Sequence, residues 1–422
     1  MEMVVLILKI YFVFVVFVMI VYTIRHYVFV SNRMFGEQRI CYQDIIDSES
    51  PSVSVLIPMH NEEKTASQIL DLLVEADYPK EKLEIIVVND NSTDTTATII
   101  DEYASKYPNI KSVHRKSEDR GKPIALNKGL EVAKGEIVVI FDADYLPPKG
   151  IIRDIAVSFN DPEVGAVMGR VIPVNSETNL LTRYLDLERT GGYQVDQQAR
   201  YNLRLIPQYG GTVGGFRREL IRSLGNFDPY ILTEDTELTF RLFVKGWKVI
   251  YANRVECYEE SPEVWRVRAR QLRRWSRGHT RVMFRYLMPL IISKHLSFRE
   301  KLDGSLLLFV YTVPFILLTG IIDCVTLFFL GKMEILSTMI VLLFLGLHNT
   351  FGNFSTFFQI GIGSVLDGAT YRIRILPFLI FNFFFNIWYI SCGFIDAVID
   401  VLTSRKPRWQ KTKRFRKGVY SQ

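Results

Sequence analysis

Four stretches of the chain are apolar almost without interruption, and they bracket a middle region in which short apolar blocks alternate with polar ones. Residues 10 to 24 (IYFVFVVFVMIVYTI) carry no charge, and with their flanks they make about 20 residues, enough to cross a bilayer core. Further apolar segments lie at roughly 305 to 330, 335 to 360 and 376 to 402. In the middle region, residues 53 to 58 (VSVLIP), 83 to 88 (LEIIVV) and 137 to 141 (IVVIF) are short and mostly apolar, with many β-branched residues. Such runs read as strands buried on both faces. The polar turn Met59-His60-Asn61-Glu62-Glu63 opens a helix through about Ala76, and Asn89 to Asp94 supplies turn and N-cap chemistry for a helix over 94–106. Strand and helix alternating at this spacing predict a parallel α/β sheet with right-handed crossovers. Asp90 and the pair Asp142/Asp144 then reach the same carboxyl edge, where ligands collect in open α/β sheets.

The same pattern divides the chain into residues 1–30 as a membrane anchor, 31–264 as a cytosolic α/β domain, 265–304 as amphipathic interface helices, 305–402 as a C-terminal membrane region and 403–422 as a basic tail. No small-residue cleavage site follows the first apolar segment, so an uncleaved anchor is expected. Arg25, His26, Arg33 and Arg39 follow it while Lys9 alone precedes it, which orients the domain to the cytoplasm of a multi-pass cell-membrane protein. Arg405, Lys406, Arg408, Lys411, Lys413, Arg414, Arg416 and Lys417 argue for a cytoplasmic tail as well, which four full crossings would not allow. Segment 335–360, interrupted by His348, Asn349, Gly352 and Asn353, is the expected re-entrant one, unless those polar groups line a sugar-conducting path or serve helix–helix contacts.

Composition narrows the chemistry. The net charge of +6 suggests nucleic acid, but the Lys and Arg gather beside the membrane segments, so anionic lipid is the expected partner. The four cysteines are scattered, with neither disulfide nor zinc spacing. The turn after the first strand lacks Gly-x-Gly-x-x-Gly, which excludes a dinucleotide-binding domain. On an extended chain Asp142 and Asp144 point the same way and could share Mg²⁺ or Mn²⁺ holding a phosphate; two solvated aspartates in a turn is the alternative. Arg120 to Asn127 is a basic turn running into a helix, with Lys122 placed to counter phosphate charge. Gln208 to Arg218 is glycine-dense, as suits close approach of a ligand to backbone. Thr233-Glu234-Asp235 opens a helix and is either capping chemistry or the seat of a general base. From Trp265 to about Tyr286, Arg266, Arg270, Arg274, Arg277, Arg281 and Arg285 recur every three or four residues and form a stripe expected to meet lipid phosphates, Arg274 excepted.

Taken in order, HNEE after the first strand, Asp90, GKPIALN, Asp-Ala-Asp, Thr-Glu-Asp and Gln271-Leu-Arg-Arg-Trp275 resemble the membrane-integrated family 2 glycosyltransferases, which include cellulose, hyaluronan, chitin and poly-N-acetylglucosamine synthases. The resemblance covers about residues 50 to 290. It implies an α/β fold of the GT-A type, Rossmann-like, with N- and C-terminal transmembrane helices and an amphipathic interface helix. It implies Glu62, Asp90 and Lys122 near the nucleotide of a UDP-sugar, Asp142 and Asp144 on the donor and its Mg²⁺ or Mn²⁺, and Gln271 and Arg274 closing on the diphosphate. Asp235 would be the base, and Trp275, Glu234, Gly211 and Thr212 would face the acceptor. The activity implied is inverting transfer of a hexose or N-acetylhexosamine to a growing β-linked polysaccharide, coupled to export and leaving room for an accessory membrane subunit. Transfer of one sugar to a polyprenyl phosphate or glycerolipid is the alternative. The acceptor segment departs from the pattern, reading Tyr209-Gly210-Gly211-Thr212-Val213-Gly214-Gly215 where bulkier residues usually precede the glycine-threonine step.

Overall fold

The computed structural model describes residues 2–39, 50–117, 119–208, 213–332, 352 and 354–405. Seven strands form one sheet: β1 (Val53–Met59), β2 (Leu83–Asp90), β3 (Ile110–Arg115), β4 (Ile137–Ile140), β5 (Val164–Pro173), β6 (Gly214–Arg217) and β7 (Lys248–Glu259), in the order β3-β2-β1-β4-β6-β5-β7. Every residue of β4 is buried, as a strand covered on both faces requires. Helices Ala66–Val74, Thr96–Lys106 and Lys122–Val132 make the crossovers of the parallel half. The first opens three residues after Glu63, because His60 to Thr65 is spent on a turn in which Asn61 takes a positive φ of 54°.

β1 to β4 pair in parallel as expected, while the sheet as a whole is mixed. β6 runs antiparallel to both β4 and β5. Gly214–Arg217 of the glycine-dense segment is thus strand, and the reason for Gly215 is packing: a Cβ there would lie 2.8 Å from the Val138 carbonyl oxygen. β7 returns parallel to β5, and Leu146, just past the Asp142/Asp144 turn, bridges to Tyr258 near its end. The carboxyl end of β7 is thereby brought beside the carboxyl end of β4.

Among the described residues two helices are long and apolar enough to cross a membrane, Glu2–Phe35 and Thr370–Leu402; Phe298–Phe309 and Val313–Phe329, bent by 63° at their junction, would make a third. Most of segment 335–360, with His348, Asn349 and Asn353, and the tail beyond Arg405 lie outside the described residues. The first helix is docked by Arg25, which reaches Asp303 at 2.8 Å and Asp196 at 3.5 Å; Arg200 binds the same two carboxylates.

The amphipathic helix runs from Trp265 to Ile292, and the last helix, Leu379–Leu402, lies alongside it. Gly393 permits the close approach, since a Cβ there would sit 2.5 Å from the Arg273 carbonyl oxygen. Its arginine stripe is not reserved for lipid. Arg277 forms a two-pronged pair with Asp400 (2.5 and 2.6 Å), Arg281 reaches the same carboxylate and Arg285 binds Asp228, while Arg273, outside the stripe, binds Asp396. Asp396 and Asp400, four residues apart on one helix, match Arg273 and Arg277, four apart on the other. An ion pair held in place this way keeps the two helices in register.

Candidate functional site

A cavity of about 480 Å³ opens at the carboxyl edge of the sheet, and it brings together residues spread from Pro58 to Tyr311. Glu62, Asp90, Lys122, Asp142, Asp144, Glu234, Asp235, Gln271, Arg274 and Trp275 all line it. Gly211 and Thr212 lie outside the described residues.

The β1 and β2 ends are clamped to each other. Asn61 donates from its backbone to Ser92 Oγ (3.0 Å), and its side chain accepts from Thr93 N (2.7 Å), while Glu62 N donates to Thr96 Oγ1 (2.8 Å). Asp90, at the last position of β2, accepts from Arg115 Nη1 (2.5 Å) and from Gly121 N (3.2 Å). Gly121 has φ 152°, a backbone conformation side chains rarely adopt, and this lets the GKPIALN turn present its N–H to that carboxylate.

From the very next residue, Lys122 Nζ stands 2.9 Å from Asp142 Oδ1 and 3.3 Å from Glu234 Oε1. Burial alone would lower this ammonium, but the two carboxylates outweigh it and hold Lys122 protonated, above its usual range. Glu234, expected toward the acceptor, is therefore tied to the lysine of the GKPIALN turn. Asp235 follows it in the first turn of helix Glu234–Val244. Burial, and then the neighbouring Glu234 charge, push the Asp235 carboxyl up to about 7, against the Thr236 N–H, Lys122 and Arg274, which lower it. A carboxyl with that value exchanges protons near neutral pH, as a general base must. Thr236 Oγ1 links this turn to Gln208 Nε2 (3.0 Å) and to His279 Nδ1 (3.1 Å). Burial drives the His279 imidazole down to about 3, so it is neutral, and its ring stacks on Tyr311 at 4.3 Å.

Two guanidinium groups lie near the Trp275 ring, with Arg268 Cζ 5.3 Å and Arg189 Cζ 6.0 Å from its centre. Each cation has its own carboxylate: Arg189 binds Glu259, and Arg268 binds Glu188 at 2.5 Å while also donating to Gln271 Oε1 at 2.9 Å. Glu188 in turn accepts from Asn382 and Asn386 of the last helix at 2.5 and 2.6 Å. Tyr145, next to Asp144, donates to Glu259 at 3.0 Å.

Sequence reasoning overlooked this wall of Glu188, Arg189, Tyr193, Glu259, Arg268 and His279. The segment 174–205 carries no recognisable motif. It holds the π-helical turn Gly191–Gln197, a feature frequent at functional sites but not legible in a Gly-Gly pair.

Among the described residues no group of three or more His, Cys, Asp or Glu could hold a metal ion by itself. Asp142 and Asp144 offer hard oxygen donors at the cavity. Two carboxylates of this kind suit a cation that takes the rest of its oxygen shell from a bound phosphate and water, as Mg²⁺ and Mn²⁺ do.

The model of glycosyltransferase-like family 2 matches residues 51–278, more than half of the 422-residue chain. A probable glycosyltransferase, YdaM, of Bacillus subtilis is 36% identical over 72% of this chain and 69% of its own. A probable glucomannan 4-β-mannosyltransferase of rice is 31% identical over 60% of this chain, and a β-monoglucosyldiacylglycerol synthase of Synechocystis is 31% identical over 63%. The matches span 45% and 55% of those two longer relatives. Among solved structures, a mannosyltransferase from Pyrobaculum calidifontis superposes over 93% of this chain and 99% of its own with a TM-score of 0.62 at 21% identity. The chain therefore belongs to the family 2 glycosyltransferases and folds as they do, in the GT-A manner.

Proposed function

We propose that this enzyme is an inverting transferase that moves a hexose or N-acetylhexosamine from a UDP-sugar to an acceptor hydroxyl, forming a β-linkage at the cytoplasmic face of the cell membrane. The observation that carries the reading is Asp235, a carboxyl raised to about 7 on the same cavity wall as Lys122, Arg274 and Trp275. In this reading Glu62 and Asp90 hold the nucleoside, while Arg274 meets the diphosphate. The acceptor oxygen attacks the anomeric carbon from the face opposite the diphosphate, and the bond from that carbon to the phosphate oxygen breaks. Asp235 takes the hydroxyl proton as the new bond forms. Negative charge appears on the departing diphosphate, where the Lys122 and Arg274 cations lie close enough to stabilise it. A divalent cation held by Asp144, with Asp142 shared with Lys122, would add Lewis-acid stabilisation of the same oxygens.

The charge balance around Trp275 bears on the acceptor. Arg189 and Arg268 are each compensated by a carboxylate, so no surplus cation among them awaits a phosphate. A base near pKa 7 is what an alcohol nucleophile needs, whereas a phosphate oxygen needs none. Both features favour a hydroxyl acceptor over a polyprenyl phosphate. A growing β-glycan is the first reading, supported by the Gln271–Trp275 motif on the cavity wall and by likeness to a glucomannan synthase. A glycerolipid is the second, supported by likeness to the glucolipid synthase and by Tyr311, which brings the break of the bent apolar pair into the cavity.

Purified protein in lipid vesicles with labelled UDP- and GDP-sugars, with and without Mn²⁺, decides between them when the product is sized. A ladder of long polymer supports the glycan acceptor, and one lipid-mobile product on added diacylglycerol supports the glycerolipid. Transfer to undecaprenyl phosphate in preference to either refutes the charge argument.

A further inference from the structure

Glu188, in the last turn of helix Leu180–Thr190, lines the catalytic cavity on the side that meets the last apolar helix. One of its oxygens accepts from Asn382 Nδ2 and Asn386 Nδ2 of that helix, at 2.5 and 2.6 Å, and the other accepts from Arg268 Nη2 at 2.5 Å. Asn382 and Asn386, four residues apart, share one helix face. Their carbonyl oxygens are buried with no hydrogen-bond partner among the described residues, so what the two amides contribute is their N–H groups. Leaving two buried carbonyls unpaired costs stability. What the arrangement secures is a carboxylate that three donors pin in one orientation against Arg268.

Arg268 is 4% exposed, and a guanidinium so enclosed requires an anion. Glu188 is that anion, since Glu259 and Glu234 on the same cavity bind Arg189 and Lys122 instead. Arg268 Nε has no partner among the described residues. The edge formed by Nε and Nη2, which can grip a phosphate through two parallel bonds, is therefore closed by a single Glu188 oxygen. Arg268 lies over the Trp275 ring, and Trp265 of the same helix packs edge-on against Phe385 of the last helix, with ring centres 4.6 Å apart. The ion pair thus stands where an acceptor arriving along the membrane helix would bring its head to Trp275.

We propose that Glu188 is a specificity-determining residue for the acceptor: by occupying Arg268, it keeps phosphate-headed acceptors out and leaves the cavity to hydroxyl-bearing ones. That the excluded group is an acceptor rests on the transferase reading; that a phosphate is excluded rests on the ion pair alone.

The test uses the full chain in phosphatidylcholine nanodiscs, with farnesyl phosphate and farnesol as probes and thermal unfolding as the readout. The parent and E188D, which keeps the charge, should be stabilised no more by farnesyl phosphate than by farnesol. E188Q and E188A should unfold at a lower temperature than the parent, because each leaves a buried cation unpaired. Both should bind farnesyl phosphate at least about tenfold more tightly than the parent does, the strength of one charge-assisted hydrogen bond. E188Q/R268Q, which carries neither charge, should lose that gain, an outcome that a merely structural role for Glu188 would not produce. No gain in E188Q and E188A, or a gain that persists without Arg268, overturns the proposal. A gain for UDP as large as that for farnesyl phosphate puts Arg268 on the donor side and overturns the acceptor assignment. If no chain transfers sugar under any condition, the transferase reading falls by itself, and the farnesyl phosphate comparison still decides whether Glu188 keeps phosphate out.

Discussion

Replacing Asp235 by Asn removes the proposed base and, at the same time, a carboxylate that folding holds in an unfavourable place. In the folded chain its carboxyl is raised from 3.8 to about 7. Between those values the folded state binds more protons than the unfolded one, so stability falls as pH rises through the window and stays lower above it. At 1.36 kcal/mol per tenfold, the ceiling on this penalty is about 4 kcal/mol above pH 7. Asn keeps an oxygen to accept from Thr236 N (2.7 Å in the parent chain) and carries no charge beside Glu234. D235N is therefore expected to unfold several degrees higher than the parent at pH 8, at roughly 2–4 °C per kcal/mol for a domain of this size. The difference should shrink steadily toward pH 4. Turnover should fall by about two to four orders of magnitude, the usual loss for an acid–base group, while nucleotide-sugar still stabilises the protein against heat. The parent's rate should rise with pH through about 7, and the residual rate of the variant should lack that rise. Thermal scans over pH and a pH–rate profile check both. A variant that is less stable at pH 8, or that turns over nearly normally, refutes the assignment of Asp235.

Three further changes probe the frame of the site. D144N should raise the Mn²⁺ needed for half-maximal activity by at least about tenfold, and chelation should abolish transfer by the parent; an unaltered metal titration would remove Asp144 from that role. W275A should leave donor-dependent heat stabilisation intact while acceptor transfer falls more than donor hydrolysis, which comparing free UDP with glycan product would reveal. G215A forces a Cβ to within 2.8 Å of the Val138 carbonyl in a fully buried strand pair and should cost about 1–3 kcal/mol in thermal or denaturant unfolding.

Local pattern sufficed for several parts of this molecule. The apolar run into Asp142 and Asp144, the end of β2 and the GKPIALN turn are each decided by a few neighbouring residues, so the chain alone placed Asp90, Asp142 and Asp144 at one sheet edge with Lys122 beside them, while Glu62 came from resemblance. Asp235, Gln271, Arg274 and Trp275 came from resemblance of motifs, and the cavity they share is a fact of the fold. Tertiary structure decided the rest. β6 enters the sheet antiparallel to β4, with Gly215 fitting closely against Val138, a contact between residues about 80 positions apart. The guanidinium stripe looked like a lipid-facing surface because Asp400, which pairs with Arg277, is 123 residues away. Glu188 compensates Arg268 over the Trp275 ring for the same kind of reason, the two being 80 residues apart and joined only by folding. Hydrophobic periodicity reports which face of an element is buried; which charged partner waits on the neighbouring element depends on how the elements pack, and nothing local in the chain records that.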